Sequence, residues 1–195
     1  MQNFKNLSFN NIKIEDSSLG GIVKISVIAD TQECLAEARC KILNFKDFAY
    51  HCFYKELLNP EIQYVCSEFL SSEQYEYAKA LAIENFMEYA NENCCEDDIS
   101  TLNYLYEKYD NLNKYILNNV SLQEAKCICI DNIESYYEKS YAGTLIVDYL
   151  KSNYLLIFIY GTWEAEEYWK KKACFKEILN GFMYYTDNIK LNEIM

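Results

Sequence analysis

The sequence predicts an α+β fold, in which a small antiparallel sheet from an N-terminal and a C-terminal hairpin packs against a largely helical middle. Short β-type segments lie near both ends, at residues 22–29 and 154–160. Between them, apolar residues recur at the three-to-four spacing of helices. Hydrophobic residues make up 51% of the 195, while Gly and Pro number five and one, which leaves little for linkers. We therefore predict a single domain over residues 1–195.

The N-terminal hairpin is predicted from two segments of β type. Residues 22–29 are rich in β-branched side chains and alternate in polarity, and residues 8–15 alternate more weakly. Residues 16–21 between them are rich in turn formers. Two antiparallel strands joined at this turn are the expected result.

A long helix is predicted next, over residues 32–58. Asp30 and Glu33 have the spacing of a capping box, and the apolar residues that follow fall on one helical face. A competing interpretation makes residues 34–43 a strand, because small or apolar residues there alternate with charged ones. The helix accounts for more residues, so it is the preferred prediction.

Further helices are predicted across the middle of the chain, each from a start signal followed by an apolar stripe. Asn59-Pro60 is expected to break the preceding helix, because Pro suits the first position of a new one. The predicted helices run from Pro60 to about Leu70, from Ser71 or Ser72 to about Asn91, from Ile99 along a stripe ending at Ile116, and from the capping box Ser121-Leu-Gln-Glu124 to Tyr136.

The C-terminal part is predicted to return to β structure. Residues 144–149 are assigned to a strand and residues 151–153 to a turn. Residues 154–160 are apolar on both faces, which indicates a central strand of a covered sheet. A final helix is predicted from Trp163 to about Asn180, capped by Thr162 and stopped by Gly181. With the N-terminal hairpin, this makes a four-stranded sheet.

Several classes of protein are disfavoured by composition. The N-terminus lacks the apolar core of a signal peptide, and the longest apolar run is about seven residues against the roughly 20 that a membrane helix needs. We therefore expect a cytoplasmic protein with no membrane partner. One Arg among eighteen basic residues, with abundant Asn, Ile and Tyr, is typical of the AT-rich codons of some bacteria and their phages.

The reactive side chains do not form a recognisable catalytic or metal motif. His51 and Cys52 are adjacent, so a helix would point them about 100° apart. Cys94-Cys95 and Cys127-Ile-Cys129 lack the usual spacing of zinc ligands. The nine cysteines are expected to be free thiols, and Glu166–Lys170 and Glu167–Lys171 to be structural ion pairs. We predict no enzyme activity, no cofactor and no metal.

The negative charge is concentrated in one part of the chain. The net charge is −12, and residues 61–110 hold twelve acidic side chains against Lys79 and Lys108, a net of −10. The same stretch carries seven tyrosines, a residue type enriched at interfaces. Such a field attracts basic partners and repels nucleic acid and anionic membranes. The alternative is an ordinary acidic surface that aids solubility, with half-buried tyrosines.

From this charge distribution we predict a protein-binding inhibitor whose acidic, Tyr-bearing face blocks a basic protein. A bacterial immunity protein that neutralises a nuclease-like toxin is the leading hypothesis. A phage-encoded nucleic-acid mimic and an intracellular small-ligand binder or enzyme with an unmarked pocket are the alternatives. Tyr109 lies on the apolar stripe of its helix, so a core position is also open for it. The predicted partner-binding residues are Glu92, Glu96, Asp97, Asp98, Tyr104, Tyr106, Glu107, Tyr109 and Asp110.

Overall fold

The computed structural model describes residues 7–17, 21–137, 140–161, 165–179 and 181–195, without the side chains of Ser17 and Glu96. The chain divides into two compact units. The α+β fold class is confirmed, whereas the single domain stays a prediction. Unit 1 comprises Met1–Phe48, Ser121–Glu193 and Met195, and unit 2 comprises Ala49–Val120 and Ile194.

Unit 1 is built on a sheet whose described residues form seven strands, where the sequence predicted four. Neighbouring strands are antiparallel except for β4 and β5, which are parallel. The order across the sheet is β1-β2-β3-β4-β5-β7-β6. The strands are β1 Ile12–Ser17, β2 Ile22–Ile28, β3 Cys34–Asn44, β4 Lys126–Ser135, β5 Leu156–Tyr160, β6 Lys176–Leu179 and β7 Phe182–Tyr185.

The predicted N-terminal hairpin is confirmed as the antiparallel pair β1–β2, in which Ser17 lies opposite Ile22. Gly21, the residue before β2, has a φ of +71°, a conformation that favours glycine. The first strand begins later than predicted, because Phe9–Asn11 form a short 3₁₀ helix capped by the side chain of Ser8. The hairpin forms one edge of the sheet.

The prediction of a helix over residues 32–58 is wrong for its first part, which is strand β3. The competing strand interpretation of residues 34–43 is confirmed. Ala36, Ala38 and Cys40 are buried, and the charged residues between them lie on the other side of the strand. This segment forms a strand, in which side chains alternate with a two-residue period, because β2 and β4 pair with it on both sides. The helical spacing of its apolar residues is therefore not realised. A short helix, α1 Phe45–Phe48, follows.

Two other C-terminal assignments are exchanged between helix and strand. The helix predicted from Ser121 to Tyr136 is β4, preceded by a 3₁₀ turn at Val120–Leu122. The strand predicted at 144–149 lies within helix α6 Ala142–Asn153. α6 buries Ala142, Ile146, Val147 and Leu150 against β2, β3 and β4, and it makes the crossover that joins the parallel strands β4 and β5.

The central strand predicted at 154–160 is confirmed as β5, which is buried on both faces. The helix predicted over 163–180 is wrong beyond residue 172, where the π-helical segment Tyr168–Lys172 ends and the chain continues into the hairpin β6–β7. Gly181 turns this hairpin at φ +85° instead of ending a helix. A Cβ there would lie 2.8 Å from the carbonyl oxygen of Gly161. Thr162, Trp163 and Asn180 lie outside the described residues. Helix α7, Ile189–Ile194, ends the chain.

The secondary-structure elements described in unit 2 are all helices, joined by short turns. Asn59-Pro60 does not break the preceding helix as predicted, since π-helical Ala49–Leu58 runs directly into α2. The helix predicted to run from Ser71 or Ser72 to Asn91 is two helices, separated near Leu81. None of the described helices is long and apolar enough to cross a bilayer. The α-helices are α2 Asn59–Phe69, α3 Ser72–Lys79, α4 Ile83–Asn93 and α5 Glu96–Asn118.

The long helix α5 confirms the apolar stripe predicted from Ile99 to Ile116. Its fully buried members lie on one side, against the π-helical segment, α2 and α4. The opposite side of α5 faces solvent and carries polar residues. The buried residues of the stripe are Ile99, Leu102, Leu105, Leu112 and Ile116.

Candidate functional site

Helix α4 carries a row of three glutamates, Glu84, Glu88 and Glu92, at four-residue intervals. All three are exposed, and they lie opposite the buried residues Phe86 and Ala90. α4 contains no Lys or Arg. Like charges four residues apart destabilise a helix, by about 0.2–0.5 kcal/mol per pair, and an acid near the C-terminal end opposes the helix dipole. The row therefore lowers the stability of α4 without any compensating base in the helix.

The next helix, α5, begins with the acidic run Glu96-Asp97-Asp98. Asp97 and Asp98 are exposed, and the side chain of Glu96 lies outside the described residues. Acidic side chains in the first helical turn interact favourably with the N-terminal amides and the helix dipole. These acids therefore have a structural role that, in the row on α4, is shared only by Glu84 of the first turn.

Tyr106 of α5 lies between the two helices, close to acidic side chains of both. Its side chain is half-buried, and burial is the first cause of the raised pKa of its hydroxyl. The carboxylates of Asp110, Glu84 and Glu88 raise the pKa further, whereas Lys114 lowers it. A second link between the helices is the hydrogen bond from Asn103 Nδ2 to Asn91 Oδ1, 3.1 Å long. Tyr106 thus lies among carboxylates from both α4 and α5.

The other predicted tyrosines of α5 point elsewhere. Tyr104 is 41% exposed, and Lys108 Nζ lies 5.5 Å from its ring centroid. Two residues turn a helix by about 200°, so Tyr104 and Tyr106 point to nearly opposite sides. Tyr109 is half-buried, with its ring 5.5 Å from that of Tyr54 and 6.4 Å from that of Phe53. Tyr109 therefore lies on the packed side of the helix.

The structure brings together only part of the predicted set. Glu92, Tyr106 and Asp110 lie along the α4–α5 pair, while Asp97, Tyr104 and Glu107 are on the solvent side of α5. Glu84 and Glu88 were missed, although their spacing from Glu92 within a predicted helix would have identified them. The acidic face is defined here as Glu84, Glu88 and Glu92 of α4 with Tyr106 and Asp110 of α5.

Few acids of unit 2 are neutralised internally. Among the described residues of this unit, one ion pair is formed, between Asp110 and Lys114 at 2.5 Å. The described acids of residues 61–110 are all exposed except for half-exposed Glu61 and Asp110. These carboxylates therefore face solvent.

Two of the five cysteines of unit 1, Cys40 and Cys127, are buried in its core. Burial raises the pKa of Cys40 and of Cys127 to about 12, so both thiols stay protonated at neutral pH. The nine cysteines form no disulfide. Cys127 lies in β4, not in the predicted helix.

The remaining reactive groups of unit 2 include His51 and the pair Cys94-Cys95. His51 is half-exposed, with its ring 5.3 Å from that of Tyr50. Cys94 and Cys95 occupy the turn between α4 and α5, where burial raises the pKa of Cys94. Among the described residues, no group of three or more His, Cys, Asp and Glu side chains has the geometry to hold a metal ion.

The chain was compared with models of protein families, with curated proteins and with solved structures, and none of the three comparisons gives a match.

Proposed function

We propose that the protein is an inhibitor that binds a basic protein through the acidic face, and that it serves as a bacterial immunity protein against a nuclease-like toxin. The observation that carries the proposal is the row Glu84, Glu88 and Glu92. Its three carboxylates are exposed, aligned and without an ion pair among the described residues. A row of this kind lowers the stability of its own helix, so a cationic partner would relieve the repulsion.

The chemistry of the face suits a lysine- or arginine-rich surface such as the active site of a nuclease. Exposed ion pairs contribute only about 0.2–1 kcal/mol each, so the carboxylates act mainly on the association rate and on the choice of partner. Tyr106 adds an aromatic ring with a hydroxyl in the middle of the charges, a combination favoured at interfaces. Asp97, Asp98 and Glu107 extend the negative field along α5, and Tyr104 adds an exposed aromatic ring on the solvent side of the same helix.

The first experiment is affinity capture from a lysate of the source cell with three forms of the chain. The variant E84Q/E88Q/E92Q removes the charges of the row. The control D30N/E124Q/D148N makes the same change in net charge at three exposed acids of unit 1. We expect the wild type and the control to retain a basic protein that the row variant loses. If all three forms retain the same proteins, the proposal is wrong.

The second experiment measures how the captured partner binds and whether it is inhibited. The association rate should fall by about tenfold or more between about 0.05 M and 0.5 M salt, because salt screens steering. One equivalent of the chain should block the partner's own activity. A rate unaffected by salt, or a partner that stays fully active when bound, would contradict the proposal. A toxin domain among the captured proteins supports the immunity role, and a nucleic-acid-binding enzyme supports the phage mimic.

A further inference from the structure

Unit 1 contains a cleft of about 650 Å³, within the range typical of small-molecule sites. It lies where the end of β4, the start of α6 and residues 165–172 meet. Four aromatic side chains line it, and Trp169 among them is buried. Large planar side chains of this kind form surfaces on which a flat ring can stack. The aromatic lining residues are Tyr137, Tyr141, Tyr168 and Trp169.

Hydroxyl groups cluster at the floor of the cleft. Ser140 is buried, and its Oγ lies 3.4 Å from Ser135 Oγ and accepts a hydrogen bond from the N–H of Ala142, also at 3.4 Å. The Tyr168 hydroxyl donates to Thr144 Oγ1 at 3.3 Å. Each hydroxyl retains hydrogen-bonding capacity beyond these bonds. The cleft therefore combines an apolar wall with hydroxyl groups for a polar ligand.

The charge of the lining contrasts with the rest of the chain. In a protein of net charge −12, the described lining includes Lys172 and no carboxylate. The preceding lysines are occupied, because Lys170 pairs with Glu166 and Glu177 and Lys171 pairs with Glu167. Lys172 forms no ion pair within the part of the chain that the structure describes. An exposed cation is therefore available at the cleft for an anion.

The backbone N–H groups at the start of α6 add partial positive charge to the same cleft. Gly143 and Thr144 line the cleft in the first helical turn, and none of the described residues accepts a hydrogen bond from their N–H groups. Amides of a first helical turn carry partial positive charge and bind phosphate groups well. They add to the cation and the hydroxyls already in the cleft.

We propose that this cleft binds a small phosphate monoester whose phosphate is attached to a planar ring system, as in a nucleoside monophosphate. The phosphate lies between Lys172, the hydroxyls of Ser140 and Thr144, and the first amides of α6. The ring stacks on Tyr168 of the aromatic wall, whose ring lies edge-on to that of the buried Trp169. This site is in unit 1 and is independent of the acidic face of unit 2.

The test is isothermal titration calorimetry of the full chain with adenosine 5′-monophosphate, adenosine and inorganic phosphate. The monophosphate should bind at least tenfold more tightly than either fragment, because only it uses both the cation and the aromatic wall. K172Q should weaken its binding at least tenfold. The matched control K171Q should bind as the wild type does, since Lys171 is exposed and pairs with Glu167. Circular dichroism would verify that both variants are folded.

Three results would overturn the site. They are an absence of heat with the monophosphate at millimolar concentration, equal affinity for K172Q and the wild type, and equal affinity for adenosine and its monophosphate. Binding of an aromatic carboxylate such as benzoate in preference to the monophosphate would also reject the phosphate assignment. The row variant E84Q/E88Q/E92Q should bind the monophosphate normally, so failure of this site and failure of the inhibitor proposal are distinguishable.

Discussion

The two units treat their charges differently. Unit 1 has seventeen acidic and fourteen basic side chains, a net of −3, and unit 2 has thirteen and four, a net of −9. Of the eight ion pairs between described residues, seven are in unit 1. Most of the surplus carboxylates of unit 2 have no lysine to pair with. Unit 1 therefore pairs many of its charged side chains within its own structure, whereas unit 2 exposes most of its carboxylates to solvent.

The largest expected effect on the free energy of unfolding comes from the apolar core of unit 2 rather than from its charges. Leu105 of α5 is fully buried, so L105A should lower the free energy of unfolding by about 2–5 kcal/mol. The neighbouring variant Y104A removes an exposed ring and should change it by no more than about 0.5 kcal/mol. Urea denaturation measures both. A small loss for L105A would show that the apolar stripe does not stabilise α5.

Hydrogen exchange of the same L105A variant tests whether the two units unfold separately. We expect amide protection to fall in residues 49–120 and to change less in β3, β4 and β5. An equal fall in both units would show that the chain unfolds as the one cooperative domain that the sequence predicts.

A smaller effect is expected from an ion pair of unit 1. Glu177 accepts hydrogen bonds from Lys170 Nζ at 2.5 Å and from the N–H of Gly181 at 2.9 Å, and these hold its pKa below the ordinary 4.5. A lowered pKa in the folded state stabilises the protein above the ordinary value, and this contribution is lost as the pH falls through the lowered pKa.

The variant E177Q should therefore be less stable than the wild type at pH 7, by less than about 1 kcal/mol because the pair is partly exposed. It should also lose less stability on acidification. Urea denaturation at pH values from about 7 to 3 tests this, and K170Q should flatten the same part of the profile. Identical profiles for E177Q and the wild type would show that the pair is not formed in solution.

The smallest effect has the opposite sign and belongs to unit 2. E88Q removes the repulsion of Glu88 with both Glu84 and Glu92, so stability should rise by a few tenths of a kcal/mol. The control E76Q in α3 should not stabilise, because Glu76 has the favourable neighbour Lys79 three residues on. Both are measured by urea denaturation at low salt. A loss of stability in E88Q would show that the row has an internal partner and would weaken the inhibitor proposal.

The acidic face was partly visible in the sequence. The excess of carboxylates in residues 61–110, their exposure and the apolar stripe of α5 follow from composition and periodicity. The directions of Tyr104, Tyr106 and Tyr109 depend on which neighbour each side of α5 meets, and the sequence does not name that neighbour. The row on α4 needed only a correct helix and attention to spacing.

The cleft of unit 1 could not be predicted in the same way. Its walls come from the end of β4, the start of α6 and residues 165–172, and the first two of these were assigned to the wrong element: β4 to a helix and α6 to a strand. Tyr168 and Lys172 are four residues apart in one helical segment, but no fixed spacing relates them to Ser140, so the arrangement of the three has no sequence signature.

Local patterns were enough for the fold class, the first hairpin, the buried strand β5 and the helical middle, because a turn or an amphipathic stripe is written in neighbouring residues. The helix–strand identity of residues 34–44, 126–135 and 142–153 depended on pairing and packing between distant segments. An apolar run that is covered on both faces is compatible with the period of a helix and with that of a strand. For residues 34–44 and 126–135, hydrogen bonding to β2, β4 or β5 selects the strand. Those partners exist only in the folded sheet.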